Sequence, residues 1–298
     1  MAIVFFLFKG LVWSISKLPF PLLYALSDLL YLNLYYIFKY RKKVVFNNLR
    51  NSFPEKSEKE IRKIAKKFFH NLSDIILEVF KTRSLKRKEI SSRYSLEGFE
   101  MAQEMLDNNQ SLILTLGHCG NWEWMGNYFS VRFDVEGYAI VKPLTNKRFN
   151  DYMNRLRHRF SPNHIIYLKD TFRKMVKNKD KAIMYAFVAD QTPTKSGSNY
   201  WFDFLNQETA FFTGIEKMAK TLNMGVVFMD IQRVKRGHYK CVFHHITSEP
   251  RNTKESEITE KYVNLLEQSI RGNPDNWLWS HKRWKHKREN QQTSADNK

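Results

Sequence analysis

The chain is 298 residues long, 43% hydrophobic, with 49 Lys+Arg against 30 Asp+Glu and a formal charge of +19. That length and apolar content exclude a disordered chain and supply the core of one large domain with an accessory segment. The charge calls for a negative partner, whether nucleic acid, anionic lipid, phosphorylated substrate or acidic protein, and the two cysteines, Cys119 and Cys241, exclude a disulfide framework and fit a reducing compartment.

Residues 1–43 differ in composition from the rest. Two apolar stretches, Ile3 to Leu18 and Leu22 to Phe38, flank Pro19-Phe20-Pro21 and carry only Lys9, Lys17 and Asp28 as charges. Each is shorter than the ~20 residues of a spanning helix, and their aromatics suit a headgroup boundary. The pair reads as a helical membrane anchor, interfacial or barely spanning; the competing reading is a core hairpin of a soluble domain. No basic run precedes it and no small-residue site closes it, which argues against a cleaved signal peptide. Lys39, Arg41, Lys42 and Lys43 follow as a basic flank, which would put the remainder of the chain on the cytoplasmic face of an anionic membrane surface.

Residues 44–95 read as a helical segment. Ser57-Glu58-Lys59-Glu60 is a capping box, and Ile61, Ile64, Phe68, Leu72, Ile75 and Val79 recur at helical spacing to about Lys81. From 96 to 289 short apolar runs alternate with amphipathic segments. Strands are expected at 111–116, 135–141, 165–168 and 182–189, with helices at 146–160, 171–176 and 214–222. A strand pair at 225–232 and 239–246 turns about Lys235-Arg236-Gly237, and a last helix covers 255–270. This alternation predicts an α/β domain built on a mainly parallel sheet flanked by helices. Asn290 to Lys298 is a polar tail expected to be disordered.

The stretch His118-Cys119-Gly120-Asn121-Trp122-Glu123 leaves an apolar strand and enters a helix. Asn121 has N-cap chemistry, so Glu123 in the first turn would fold back toward His118. A carboxylate accepting the Nδ1 proton fixes the tautomer and leaves Nε2 free to take a proton from a hydroxyl. The bland alternative is a satisfied loop histidine beside a glutamate favoured by the helix dipole.

Asn154-Arg155-Leu156-Arg157 places two guanidinium groups beside an apolar helix stripe, suited to phosphate or an oxyanion, or simply to an exposed basic face. Asp190-Gln191 ends a strand, at the sheet edge where α/β folds gather ligands, and Asp190 could orient an arginine or the histidine. The loop from Gln191 to Phe204 ends in aromatics that could line a groove. Near the C-terminus, Trp277-Leu278-Trp279-Ser280-His281-Lys282-Arg283-Trp284 interleaves tryptophans with cations, an interfacial composition that would also serve single-stranded nucleic acid. His244, His245, His281 and His286 do not read as a metal site: adjacent strand histidines face opposite ways, and the last two sit among cations. Cys119 is a remote candidate for a covalent nucleophile, its thiol facing away from a strand-end histidine.

The His-x4-Glu box, the Arg-x-Arg helix, the strand-end Asp190, the run Phe204-Leu205-Asn206-Gln207-Glu208-Thr209-Ala210-Phe211-Phe212-Thr213-Gly214 and the closing Asn276-Trp277-Leu278-Trp279 block, in this order, resemble the lipid A secondary (lauroyl/myristoyl) acyltransferases within the lysophospholipid acyltransferase superfamily. The resemblance runs from the N-terminal hydrophobic segment to about Arg288. It implies a glycerolipid acyltransferase-like fold at the cytoplasmic face of a bacterial inner membrane. The implied reaction moves a fatty acyl chain from acyl carrier protein to a hydroxyl on a lipid A precursor, with the carrier thioester as donor, no further cofactor and no metal. His118 would be general base and Glu123 its orienter. Arg155 in first place, with Arg157 its near equal, Asp190 and Asn121 would contact substrate or oxyanion, helped by backbone amides near Gly120. Ala189-Asp190-Gln191 departs from the family's usual proline-led version, which leaves open another lipid acceptor of the same superfamily. A non-catalytic basic membrane- or nucleic-acid-binding protein explains the charge and the tryptophans but not the polar groups at two strand exits, and nucleic acid is not expected as a partner.

Overall fold

The computed structural model describes residues 2–133, 135–160, 165–193 and 199–288. The tail expected to be disordered, 290–298, lies outside them.

Helices α1 (Ala2–Lys17) and α2 (Phe20–Leu32) break at Pro19, as the two prolines require, and a π-helical turn over Asn33–Ile37 ends the hairpin. No helix among the described residues is long and apolar enough to cross a membrane, which corrects the barely spanning version of the anchor. The apolar side chains of α1 divide between two faces. Phe5, Val12 and Ile15 are buried, whereas Ile3, Val4, Phe6, Leu7, Leu11 and Trp13 are exposed.

The hairpin packs on α4 (Glu58–Lys81), which begins at the expected capping box, Ser57 and Glu60 each bonding the other's backbone N–H. In the chain, α3 (Lys42–Ser52) comes between the hairpin and α4. Polar groups fix this packing: Ser27 Oγ donates to Asp74 Oδ1 at 2.6 Å, and Arg236 joins Asp74 to Asp28.

After α5 (Arg87–Ser91) the chain alternates between strand and helix. The elements are β1 (Tyr94–Glu97), α6 (Glu100–Asp107), β2 (Leu112–Leu116), α7 (Trp122–Arg132), β3 (Gly137–Val141), α8 (Lys147–Arg157), β4 (Ile165–Tyr167), α9 (Thr171–Lys177) and β5 (Met184–Val188). They continue with β6 (Asn199–Phe204), β7 (Gln207–Phe212), α10 (Gly214–Leu222), β8 (Gly225–Lys235), β9 (His238–Thr247) and α11 (Glu257–Gly272). The main sheet has seven strands in the order β1-β9-β8-β2-β5-β3-β4, and every pairing is parallel except the β8–β9 hairpin. A mainly parallel α/β sheet is therefore what forms.

Alternation along the central strand β2 assigns the two cores. Leu112, Leu114 and Leu116 face α6 and α7, while Ile113 faces the core that contains Leu266, Trp277 and Trp279. The second half of the expected aromatic loop is a strand, because β6 and β7 form a separate antiparallel hairpin turning at Leu205 and Asn206, both at positive φ. Leucine is not a turn residue by propensity. Here burial of its side chain and the bond from its backbone N–H to Glu267 Oε2, 3.0 Å, hold it in place.

Candidate active site

Strand β2 delivers His118 to the C-terminal edge of the sheet through Gly117, where a Cβ would lie 2.6 Å from Leu266 Cδ1. The side chains of Leu116 and His118 point to the same face, and Cys119 points to the opposite core. Gly120 then turns the chain at φ +55, with a Cβ excluded by Ile231 Cγ2 at 2.6 Å. Asn121 caps α7, its Oδ1 accepting from Trp124 N at 2.9 Å.

Strands β2 and β5 are neighbours in register, Leu116 opposite Val188. Two residues further along each strand direction stand His118 and Asp190. Nδ1 of His118 lies 2.5 Å from Oδ1 of Asp190, and its backbone N–H donates to Oδ2 at 2.9 Å. Because a carboxylate can only accept, the ring carries its proton on Nδ1 and presents Nε2 as an acceptor. Gln191 Nε2 donates to that nitrogen at 3.1 Å, and the Trp122 ring packs edge-on to the imidazole with centroids 5.0 Å apart. Burial alone would raise the Asp190 carboxyl. Attraction to the His118 ring in its protonated form, the two hydrogen bonds from His118 and the Trp277 indole outweigh burial and hold the group at about 2.

Glu123 does not make the contact expected of it. Its carboxylate is held by Arg157, with Nε to Oε2 at 2.8 Å and Nη2 to Oε1 at 2.6 Å. The guanidinium fork matches a carboxylate in two places at once, and the register of α8 against α7 brings it there, so the orienting position on the histidine falls to Asp190. Arg157 lines the same cavity as His118, whereas Arg155, preferred from the sequence, is exposed and lies over the Tyr152 ring outside that lining. Asn121, expected to contact substrate, is fully buried. Its Nδ2 donates to Glu78 Oε2 at 2.7 Å, which ties the start of α7 to α4. Glu78 also accepts from Tyr24 Oη and Tyr239 Oη, so the N-terminal hairpin and the β8–β9 hairpin share one anchor behind the site. The Gly120 N–H, expected as an oxyanion donor, is turned onto Asn276.

His118, Trp122, Glu123, Arg157 and Gln191 open onto a cavity of about 830 Å³. It runs between α7 and the sheet, past Leu114, Leu116, Met184, Ala186 and Val188 to Phe133, Val135 and Gly137. Its length follows α7, whose eleven residues extend roughly 16 Å. A long, largely apolar slot with a base at its mouth suits an alkyl chain whose reactive end stops beside the imidazole. The aromatics at 201–205 take no part: Phe204 and Leu205 are core residues. Cys119 is buried, and burial, with Asp230 and Asp190 nearby, pushes its thiol well above the usual range, which leaves no thiolate for an acyl-enzyme. Two partners escaped the sequence reading, Trp277 on Asp190 and Gln191 on His118. Adjacency to Asp190 signalled the second, and no local pattern signals the first.

The sequence model described as bacterial lipid A biosynthesis acyltransferase matches residues 1–286. Relatives include the lipid A biosynthesis lauroyltransferase of Escherichia coli K12, 23% identical over 278 residues that cover 93% of this chain and 89% of the relative. The palmitoleoyltransferase of the same organism and a lipid A biosynthesis acyltransferase of Shigella flexneri are each 21% identical over the same shares. With residues 1–286 matched by that model, the chain belongs to the bacterial lipid A biosynthesis acyltransferase family.

Proposed function

We propose that the protein transfers a fatty acyl chain from acyl carrier protein to a hydroxyl of a lipid A precursor, with His118 as general base and Asp190 as its orienter. The observation that carries this reading is the His118–Asp190 pair at the mouth of the apolar slot. The acyl chain lies in the slot with its thioester carbonyl beside His118. Nε2 removes the acceptor hydroxyl proton as the oxygen attacks, a C–O bond forms, and the tetrahedral intermediate collapses with loss of the carrier thiolate. That thiolate takes the proton back from the imidazolium. Gln191 and Arg157 line the slot with His118 and offer donors to the developing oxyanion, and Arg157 is held in place by Glu123.

The acceptor class follows the family, and the donor follows the basic surface, which complements an acidic carrier and a phosphorylated glycolipid. Membrane attachment is interfacial: the exposed apolar face of α1 enters the headgroup boundary of the cytoplasmic leaflet of a bacterial inner membrane, beside the basic residues 39–43. Incubating purified protein with acyl carrier protein thioesters and a lipid A precursor, then weighing the lipid by mass spectrometry, tests the reading. One added acyl mass is expected from the wild type and none from His118→Ala with an unchanged thermal midpoint. Undiminished transfer by that variant removes His118 from the chemistry.

A further inference from the structure

The Asp190 side chain is 2% exposed, so its two oxygens take their donors from protein alone. Oδ1 faces Nδ1 of His118. Oδ2 accepts the backbone N–H of His118 at 2.9 Å and the indole Nε1–H of Trp277 at 2.6 Å. Trp277 reaches this place from the far end of the chain and is itself rigidly held. It is buried, with Trp279 packed edge-on at a centroid distance of 4.7 Å and Trp284 at 6.0 Å. Its backbone forms an antiparallel bridge to Cys119, and the preceding residue, Asn276, takes Gly120 N–H and donates to Ile231 O at 2.7 Å. The segment that carries Trp277 is thus stitched to the loop that carries His118.

We propose that Trp277 is a positioning residue for the transfer reaction, its indole N–H fixing Oδ2 of Asp190 so that Oδ1 stays on Nδ1 of His118 and Nε2 stays turned to the cavity. A carboxylate rotates about a single bond. Held only by the backbone amide of His118, it would sample orientations in which Nδ1 loses its acceptor, and the neutral ring would populate the wrong tautomer. A donor on a packed indole removes that freedom, because the ring cannot follow a rotation of the carboxylate. The inference rests on His118 acting as the base, as proposed above.

The test replaces Trp277 in the full chain with 3-benzothienylalanine, which keeps the bicyclic shape and lacks the N–H, and adds Trp277→Phe as a simpler companion. For the isostere, kcat should fall about ten-fold with KM within about two-fold, since the lost donor contacts no substrate. With histidine labelled in the ring nitrogens, the wild-type residue 118 should show the single Nδ1–H tautomer when neutral, and both variants a mixture. An unchanged ring spectrum or an unchanged kcat in the isostere overturns the proposal; so does a lowered thermal midpoint without a change in the ring signal. The ring spectrum needs no turnover, so a failure of His118 as base, seen as activity in His118→Ala, remains a separate result.

Discussion

Nδ1 of His118 lies 2.5 Å from Oδ1 of Asp190, a residue 72 positions away, while the carboxylate of Glu123, in the same strand-to-helix segment as the histidine, is turned onto Arg157. The two acidic groups therefore divide the work. One aligns the ring, and the other holds a guanidinium at the wall of the slot.

That division predicts unequal losses. Asp190→Asn keeps the shape but offers an amide that cannot enforce the Nδ1–H tautomer, and kcat should drop by about a thousand-fold or more. Glu123→Gln retains a hydrogen bond to Arg157 and leaves the histidine untouched, so the loss should be about ten-fold. It should also destabilise the fold by ~1–2 kcal/mol, because a largely buried guanidinium loses its counter-charge. Steady-state kinetics and urea unfolding of the two variants check this; the opposite ranking would return Glu123 to the orienting role.

Gly126 sits on α7 at the wall of the slot, and a Cβ added there would meet no atom within 4 Å. Gly126→Ala should stabilise the helix by ~0.5–1 kcal/mol with little effect on transfer. Gly126→Leu should fill part of the slot and move donor preference toward shorter acyl chains. Competition between carrier thioesters of graded length measures that preference, and an unchanged product distribution would place the alkyl chain elsewhere.

Acid should weaken the fold in two steps. Burial holds the His281 imidazole down at about 4, so the neutral ring favours the folded state fully above the free value of ~6.5, and that contribution is lost as pH falls from there toward about 4. Asp190, held at about 2, contributes fully above the free carboxyl value of ~3.9 and loses its contribution, on the order of 2 kcal/mol, as pH falls toward about 2. Urea midpoints followed across pH should show the upper step missing in His281→Gln and the lower step missing in Asp190→Asn. A single step surviving in both variants would assign the acid response to other groups.

The periodic signals were legible in particular places. The capping box at Ser57, the apolar run of β2 and the break at Pro19 each formed where local chemistry demanded it. The turn at Leu205-Asn206 was not, because its left-handed leucine is held by a tertiary hydrogen bond that its N–H donates to a helix about sixty residues away. Arg155 and Arg157 were near equals in sequence, and only the packing of α8 against α7 turned one into the slot and the other to solvent.

From its residues alone the chain declared a mainly parallel α/β sheet, a histidine at a strand exit, two apolar N-terminal stretches parted by prolines and a family resemblance, since all of these are written in periodicity and local motif. Which carboxylate meets the histidine was decided by the register of β2 against β5, and which indole meets that carboxylate by the return of residues 276–284 to the sheet edge. Register and return depend on how whole elements pack, a sum over many weak contacts that no stretch of neighbouring residues contains.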